Sequence, residues 1–268
     1  MLFRSGASRG GRRGYRPGRV RIRVLVEAER VDAEVMARVR ARSKVVLGLN
    51  RDLSGFFEIA SAHERLSYVE RVGAGRLLRS ASMTENIIKT ICGTNTNWGQ
   101  AVKMINRIGQ LGSAIEDFRN LNVWPSPREI LRAGRGYLVD VARVGYRADA
   151  ILALCRDAVS GAFDPEGLDE GSEVLDTRSL RERVLEIRGV GPASAGFLLA
   201  LLGHFDHLSI DSWTLAYVGK HYFRGKKPTA RQVEKVYKRF DPWQQLVWWF
   251  EQWGTWATAR SMGAAAAG

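Results

Sequence analysis

Apolar and polar positions along this chain change period once. Val20, Ile22, Val24 and Val26 alternate with mostly charged residues between Arg19 and Arg30, the two-residue period of a strand. From about Leu53 onward the period is helical. Ser82-Met-Thr-Glu85 has the form of a capping box opening a helix with Ile87, Ile88, Ile91 and Cys92. Val102, Met104, Ile105 and Ile108 mark a second helix, Pro125 and Pro127 a loop, and Leu138 to Leu154 one or two further helices. Asp164 to Asp176, rich in acids and glycine, reads as an exposed link. A short helix is expected over Thr229 to Tyr237, and a tryptophan-rich one from Pro242. These patterns predict a mainly α protein with a small N-terminal β remnant.

The stretch from Leu180 to Asp211 carries the most chemistry. Leu180, Val184 and Ile187 line one helix face, and Gly189, which tolerates positive φ, ends that helix. Gly191 lets the backbone approach another molecule, and Pro192 suits the first turn of a new helix. That helix, about Ala193 to Leu202, is apolar nearly all round and is expected to be buried. The amides of Val190 and Gly191 then lie at its N-terminus, where an anion is favoured. Taken alone, the two glycines describe an ordinary helical turn.

Asp211 lies 20 residues past Gly191, after a short Phe205–Ile210 connection and just before a helix starting near Ser212. The simple role for it is a helix N-cap. A carboxylate there would also share a cleft mouth with the phosphate-binding hairpin. An ionised carboxylate near a sugar C1′ stabilises the positive charge that develops as a glycosidic bond breaks.

Over roughly Leu47 to Trp256 these residues resemble the helix-hairpin-helix DNA glycosylases with a Gly/Pro-rich loop and an aspartate. Leu185-x-Ile-x-Gly-Val-Gly-Pro-x-x-Ala195 is similar to the family hairpin, and Asp211 falls on its catalytic aspartate. Arg76-Leu-Leu-Arg79, Ile91-Cys-Gly-Thr-Asn-Thr-Asn-Trp98 and Gly145-Tyr-Arg-Ala148 resemble segments of the 8-oxoguanine and 3-methyladenine branches. The resemblance implies two helical lobes around a DNA-binding cleft. Residues 80–204 would form one lobe ending in the hairpin, and residues 47–79 with 205–260 the other, carrying Asp211. Residues 1–18 are expected to be a disordered basic arm, 19–46 a small β/α segment and 261–268 a flexible tail.

Family members that also cut the strand carry a lysine where this chain has Ala193, so a Schiff base is not expected and water would be the nucleophile. The expected enzyme is a monofunctional DNA glycosylase that leaves an abasic site. A glycosylase/lyase is disfavoured by Ala193. A glycosylase removing bulky modified cytosine from phage DNA, in antiviral defence, and a non-catalytic DNA-binding hairpin module remain open alternatives.

Gly189, Val190, Gly191, Ala193, Asn95 and Trp213 are the candidate DNA contacts. By resemblance, Asn95, Asn97 and Trp98 match the loop that fills the gap left by a flipped base; helix caps and a core tryptophan are the bland alternative. Phe197, one helical turn after Ala193, is a candidate wall of the base pocket, with Trp98 and Trp253. Ala193 and Gly196, both small, would border that wall. Trp249, Trp253 and Trp256 recur at i, i+4 and i+7, a spacing that equally describes core.

Composition agrees with a polyanionic partner. Lysine plus arginine total 41 against 28 acids, a net charge of +13, and eight arginines with no acid lie in residues 1–24. An arginine-rich, acid-free start is also that of a transit peptide, but five glycines in the first 18 residues oppose an amphipathic helix. Two cysteines, Cys92 and Cys155, suit a reducing cytoplasm and exclude a four-cysteine iron–sulfur cluster. His204 and His207 have no third ligand nearby, so no metal is expected on side chains. The family does imply room for a monovalent cation on hairpin carbonyls. No apolar run approaches the roughly 18 residues of a membrane span. The expected partner is double-stranded DNA, bound by a monomer in the cytoplasm at the nucleoid.

Overall fold

The computed structural model describes residues 32–115 and 121–265, with side chains through residue 254. The expected basic arm and the strand of residues 19–30 lie outside the described residues. Within them the protein is helical, and the one β feature is an isolated bridge between Ala114 and Asn122. Helix α1 (Ala33–Val46) is capped by Asp32, whose carboxylate accepts the Val35 amide at 2.7 Å. It leads into α2 (Ser54–Ala62) and α3 (Tyr68–Val72). The next group comprises α4 (Met83–Gly93), α5 (Trp98–Gly109), α6 (Pro127–Gly136), α7 (Ala148–Ser160), α8 (Gly167–Val174) and α9 (Thr177–Leu185). Then follow α10 (Pro192–Leu202), α11 (Ser212–Tyr222), α12 (Ala230–Tyr237) and α13 (Gln244–Ala265). The last of these runs into residues 261–265, which the sequence suggested would be tail.

Burial divides these helices between two hydrophobic cores. One gathers Met83, Ile87, Ile91, Ile108, Ile151, Leu180, Val184 and Leu198 from α4 to α10. The other gathers Phe56, Leu66, Val218, Tyr237, Leu246 and Phe250 from α2, α11, α12 and α13 with their connections. Helix α10 is the wall between them. Its Leu198, Leu199, Leu201 and Leu202 enter the first core while Ala200 enters the second, so a helix apolar on every face has apolar neighbours on every face. Cys92 and Cys155 are buried in the first core, where burial pushes each thiol up to about 12.

The acidic link of Asp164–Asp176 proves to be structural. It folds as α8, with Leu168, Gly171 and Ser172 buried. Its Glu166 takes over the cap of α4. The Glu166 carboxylate accepts the Met83 and Thr84 amides at 2.9 and 3.0 Å and the Ser82 hydroxyl at 2.7 Å. Ser82 still accepts the Glu85 amide, but the Glu85 side chain turns to Lys89 at 2.5 Å, so the capping box is only half formed. Asp169, also on α8, forms a bidentate pair with buried Arg79 at 2.5 and 2.8 Å, fixing the segment that enters α4.

The second core holds a buried carboxylate that the hydrophobic pattern did not indicate. Glu251 accepts the Tyr222 hydroxyl at 2.6 Å and the Tyr237 hydroxyl at 2.7 Å, with His63 Nε2 at 3.2 Å. It thereby joins α13 to α11 and α12. Burial and the adjacent carboxylate push both phenols well above their ordinary value.

Candidate active site

The hairpin between α9 and α10 is built from two glycines with different duties. Gly189 has φ +86°, and a Cβ there would lie 2.8 Å from Cβ of Ala150, so its neighbour on α7 excludes any side chain. Gly191 has φ −96°, and nothing lies within 4 Å of where its Cβ would be. Among the described residues no contact demands glycine at 191, and the space beside it is open for a ligand. Val190 anchors the turn with a buried side chain, and its amide donates to the Ile187 carbonyl at 3.0 Å. That corrects one expectation: the Val190 amide is spent inside the turn. The amides left over at the start of α10 are those of Gly191, Ala193 and Ser194, Pro192 having none and Ala195 bonding back to Gly191.

Asp211 is the N-cap of α11. Its Oδ1 accepts the Thr214 amide at 2.7 Å and the Thr214 hydroxyl at 2.8 Å, while its own amide donates to that hydroxyl. Oδ2 accepts nothing from the described residues, and the residue is exposed. The capping role and a catalytic role therefore do not compete: one oxygen fixes the side chain and the other is free.

Three contacts missed in the sequence set Asp211 against the hairpin. The Ser209 hydroxyl donates to the Ala193 carbonyl at 2.7 Å. A Cβ on Gly196 would lie 2.8 Å from Cα of Ser209, so Leu208 and Ser209 run directly across α10. The Ser209 amide donates to Oε1 of buried Gln245 on α13 at 2.8 Å. The small Gly196 thus serves a backbone crossing and does not border an open pocket, contrary to expectation. A Gly–Ser pair separated by 13 residues offers no periodic signal.

Phe197 is half-buried and packs on Trp249 of α13, ring centroids 5.8 Å apart. Trp253, one turn further along α13, is 51% exposed, and Trp213, two residues past Asp211, is 53% exposed. The tryptophans of α13 are therefore not uniformly core; the side chain of Trp256 lies outside the described residues. Phe197 and Trp249 pack together where α10 meets α13, with exposed Trp253 one turn further along α13.

A second cluster stands at the junction of α4 and α5. Asn97 is the N-cap of α5, accepting the Gln100 amide at 2.9 Å. Asn95 is exposed with φ +45°, a conformation asparagine tolerates. Trp98 is 73% exposed, which excludes the core role. Opposite them, Tyr146 is exposed, and its hydroxyl accepts from Asn95 Nδ2 at 3.3 Å. Bonds from Thr94 and Asn95 hold this phenol below its ordinary value. Buried Arg147 stacks on the Tyr146 ring, 4.7 Å from its centroid, and donates to the carbonyls of Thr94, Asn95 and Val144. The Gly145–Ala148 motif pointed to this place, but not to the buried guanidinium as the group that shapes the loop.

His204 and His207 are drawn apart by their partners. His204 contacts the Thr177 hydroxyl at 2.8 Å and the Ser172 carbonyl at 3.0 Å, and His207 accepts from Arg181 at 3.2 Å. Among the described residues no helix is long and apolar enough to cross a membrane.

No family model matches the sequence, and neither does any curated protein. Solved structures match the fold. MBOgg1, in complex with a low-affinity DNA ligand, is 21% identical with a TM-score of 0.68, over 87% of this chain and 78% of that one. The 3-methyladenine DNA glycosylase of Archaeoglobus fulgidus is 19% identical with a TM-score of 0.66, over 84% and 77%. The Clostridium acetobutylicum 8-oxoguanine glycosylase/lyase, in complex with double-stranded DNA, is 16% identical with a TM-score of 0.65, over 83% and 76%. The chain shares the all-α fold of these solved structures.

Proposed function

We propose that this protein is a monofunctional DNA glycosylase that flips a damaged or modified base out of duplex DNA and hydrolyses its N-glycosidic bond. The observation that carries this reading is Asp211, fixed by Thr214 through one oxygen, free at the other, and tied through Ser209 to the helix that opens at the hairpin. The Gly191, Ala193 and Ser194 amides would receive a backbone phosphate beside the extruded nucleotide, helped by the helix dipole. The Arg188 and Val190 carbonyls, which accept nothing from the described residues, are available to hold a monovalent cation that would add positive charge beneath that phosphate.

The chemistry follows from charge. As the base departs with the bonding electrons, positive charge develops on C1′ and the ring oxygen, and the Asp211 carboxylate stabilises it from a preset position. Water adds to C1′, its proton passing to the carboxylate or to solvent, and the product is a free base and an abasic site in an intact strand. The chain has no lysine from Gly189 to Gly219, so no side-chain amine on this segment is available to form a Schiff base. Asn95 and Trp98 at the α4–α5 junction and Tyr146 opposite them, all exposed and held by Arg147, would fill the gap in the duplex. The rings of Phe197, Trp249 and Trp253 favour an electron-poor base, an alkylated purine above all, because a cation is attracted to an aromatic face. Duplexes bearing alkylated, oxidised, deaminated or hydroxymethylated bases, assayed for released base by mass spectrometry, test the reading. Release from at least one class, abolished in Asp211→Asn, supports it; no release from any class overturns it.

A further inference from the structure

Two stretches together carry a charge equal to the chain's net +13. Residues 1–31 hold nine arginines against two glutamates, a net +7 of the chain's +13. The remaining +6 equals the charge of one stretch, residues 220–241, where Lys220, Arg224, Lys226, Lys227, Arg231, Lys235, Lys238 and Arg239 face only Glu234 and Asp241. All other residues sum to zero, the acids of residues 148–176 offsetting arginines elsewhere, and residues 177–219 around the hairpin and Asp211 balance by themselves.

The fold turns this stretch into one surface. On α12, Val233 and Tyr237 are buried in the second core, as is Phe240 in the turn that follows, while Arg231 and Lys235 on the helix and Lys238 at its end are exposed at i, i+4 and i+7. The loop before α12 is folded tightly onto α11. The Gly225 amide donates to the Gly219 carbonyl at 2.9 Å, and a Cβ on Gly219 would lie 2.8 Å from the Lys226 carbonyl. Arg224, Lys226 and Lys227 are exposed on that loop, and Lys220 on α11 beside it. Among the described residues only Lys238 has a carboxylate partner, Asp241 at 3.5 Å; Arg239 lies over the Phe240 ring. Seven cations held on a rigid frame without counter-charges repel one another, and a polyanion relieves that repulsion.

We infer that residues 220–239 form a second phosphate-binding surface, which grips the backbone of the DNA flank on the side of the second core. The inference rests on the reading that the chain acts on duplex DNA, because Lys220 lies on the helix that Asp211 caps and the loop bearing Arg224, Lys226 and Lys227 folds back onto that helix. Lys220 is nine residues along that helix, roughly 13 Å from its start. At 3.4 Å per base pair the surface would reach phosphates about four or more base pairs from the flipped nucleotide. Cations one helical turn apart are spaced to follow successive phosphates, and they carry no sequence preference. The partner is thus the DNA backbone, not an acidic protein.

The test uses the full chain with Lys227→Gln, Arg231→Gln and Lys235→Gln combined, three exposed changes that leave the core face of α12 intact. Binding to an unmodified duplex is measured across a salt series, and single-turnover excision at saturating enzyme beside it. The slope of log K against log salt is expected to shrink by about 0.9 per lost contact, so by about 2 to 3 for the triple variant. Affinity at low salt should fall more than tenfold, with the saturated excision rate unchanged. A variant with lysine or arginine restored at all three positions in exchanged form should recover the slope. An unchanged slope overturns the inference, and so does a lost slope accompanied by a lowered melting temperature that the exchanged variant does not repair. The binding arm reads the surface whether or not any base is released, so failure of the glycosylase reading appears in the excision arm alone.

Discussion

The Ser209 hydroxyl lies 2.7 Å from the Ala193 carbonyl, joining the segment that ends in Asp211 to the helix that begins at the hairpin. The proposed phosphate-binding turn and catalytic carboxylate would be useful only at a fixed separation. Here one hydrogen bond, a glycine crossing and Gln245 set that separation. Ser209→Ala removes the donor and leaves the Ala193 carbonyl without this partner, a loss of about 1 kcal/mol in stability. Gly196→Ala places a methyl group against the Ser209 backbone and should cost about 1–3 kcal/mol by overpacking. In both variants base release should fall more than duplex affinity, measured by single-turnover excision and by titration. Equal losses in the two would mean that Ser209 supports the fold only.

Asp211→Asn separates the two duties of this residue. Asparagine caps a helix as well as aspartate does, so α11 and the melting temperature should be preserved. The negative charge at the free oxygen is lost, and excision should fall by about 10²–10³-fold while binding to unmodified duplex persists. Near-normal excision would remove Asp211 from the mechanism.

The product should be an abasic site in an unbroken strand. Reaction mixtures analysed on denaturing gels should reveal cleavage only after alkali or heat, and borohydride should trap no protein–DNA adduct. A trapped adduct would require an amine at C1′ and would overturn the assignment of water as nucleophile.

How much of this was legible in the sequence depends on how far apart the interacting residues lie. The hairpin and the cap at Asp211 are local, with glycines and a capping residue at short fixed spacing, and both could be read directly. The Val190 amide is instead spent on the Ile187 carbonyl within the turn, a choice that composition does not record. Glu166 caps α4 from 84 residues after Ser82, although its acid-rich surroundings suggest an exposed link. An acid-rich pattern marks solvent unless a distant donor set claims it. Periodicity placed Trp249 and Trp253 on one face of α13, yet could not say that the face runs from half-buried to exposed.

The Glu166 cap predicts an acid-sensitive fold. Burial alone would raise its carboxyl, but the Thr84 and Met83 amides and the Ser82 and Thr84 hydroxyls together hold it below the ordinary value of 4.5. A carboxyl depressed in the folded state contributes stability above its unfolded value and loses it as pH falls through the folded one. Urea midpoints should therefore drop below about pH 4.5 in the wild type. Glu166→Gln should be less stable at neutral pH and should show a shallower fall. Parallel pH profiles for the two proteins would show that Glu166 is not part of the acid response.

The two hairpin glycines should separate stability from DNA binding. At Gly189 the φ of +86° and the Ala150 methyl group 2.8 Å away both oppose a side chain, so Gly189→Ala should destabilise by more than 1 kcal/mol. At Gly191 the backbone is ordinary and the space open, so Gly191→Ala should leave the melting temperature within a degree or two. Gly191→Asp, whose Cβ meets nothing within 4 Å among the described residues, sets a negative charge where the phosphate is expected. Its affinity should fall across all duplex sequences alike, because a backbone contact carries no sequence information. Measured at matched salt, an unchanged dissociation constant for Gly191→Asp would place the phosphate elsewhere and leave Gly191 without a role in binding.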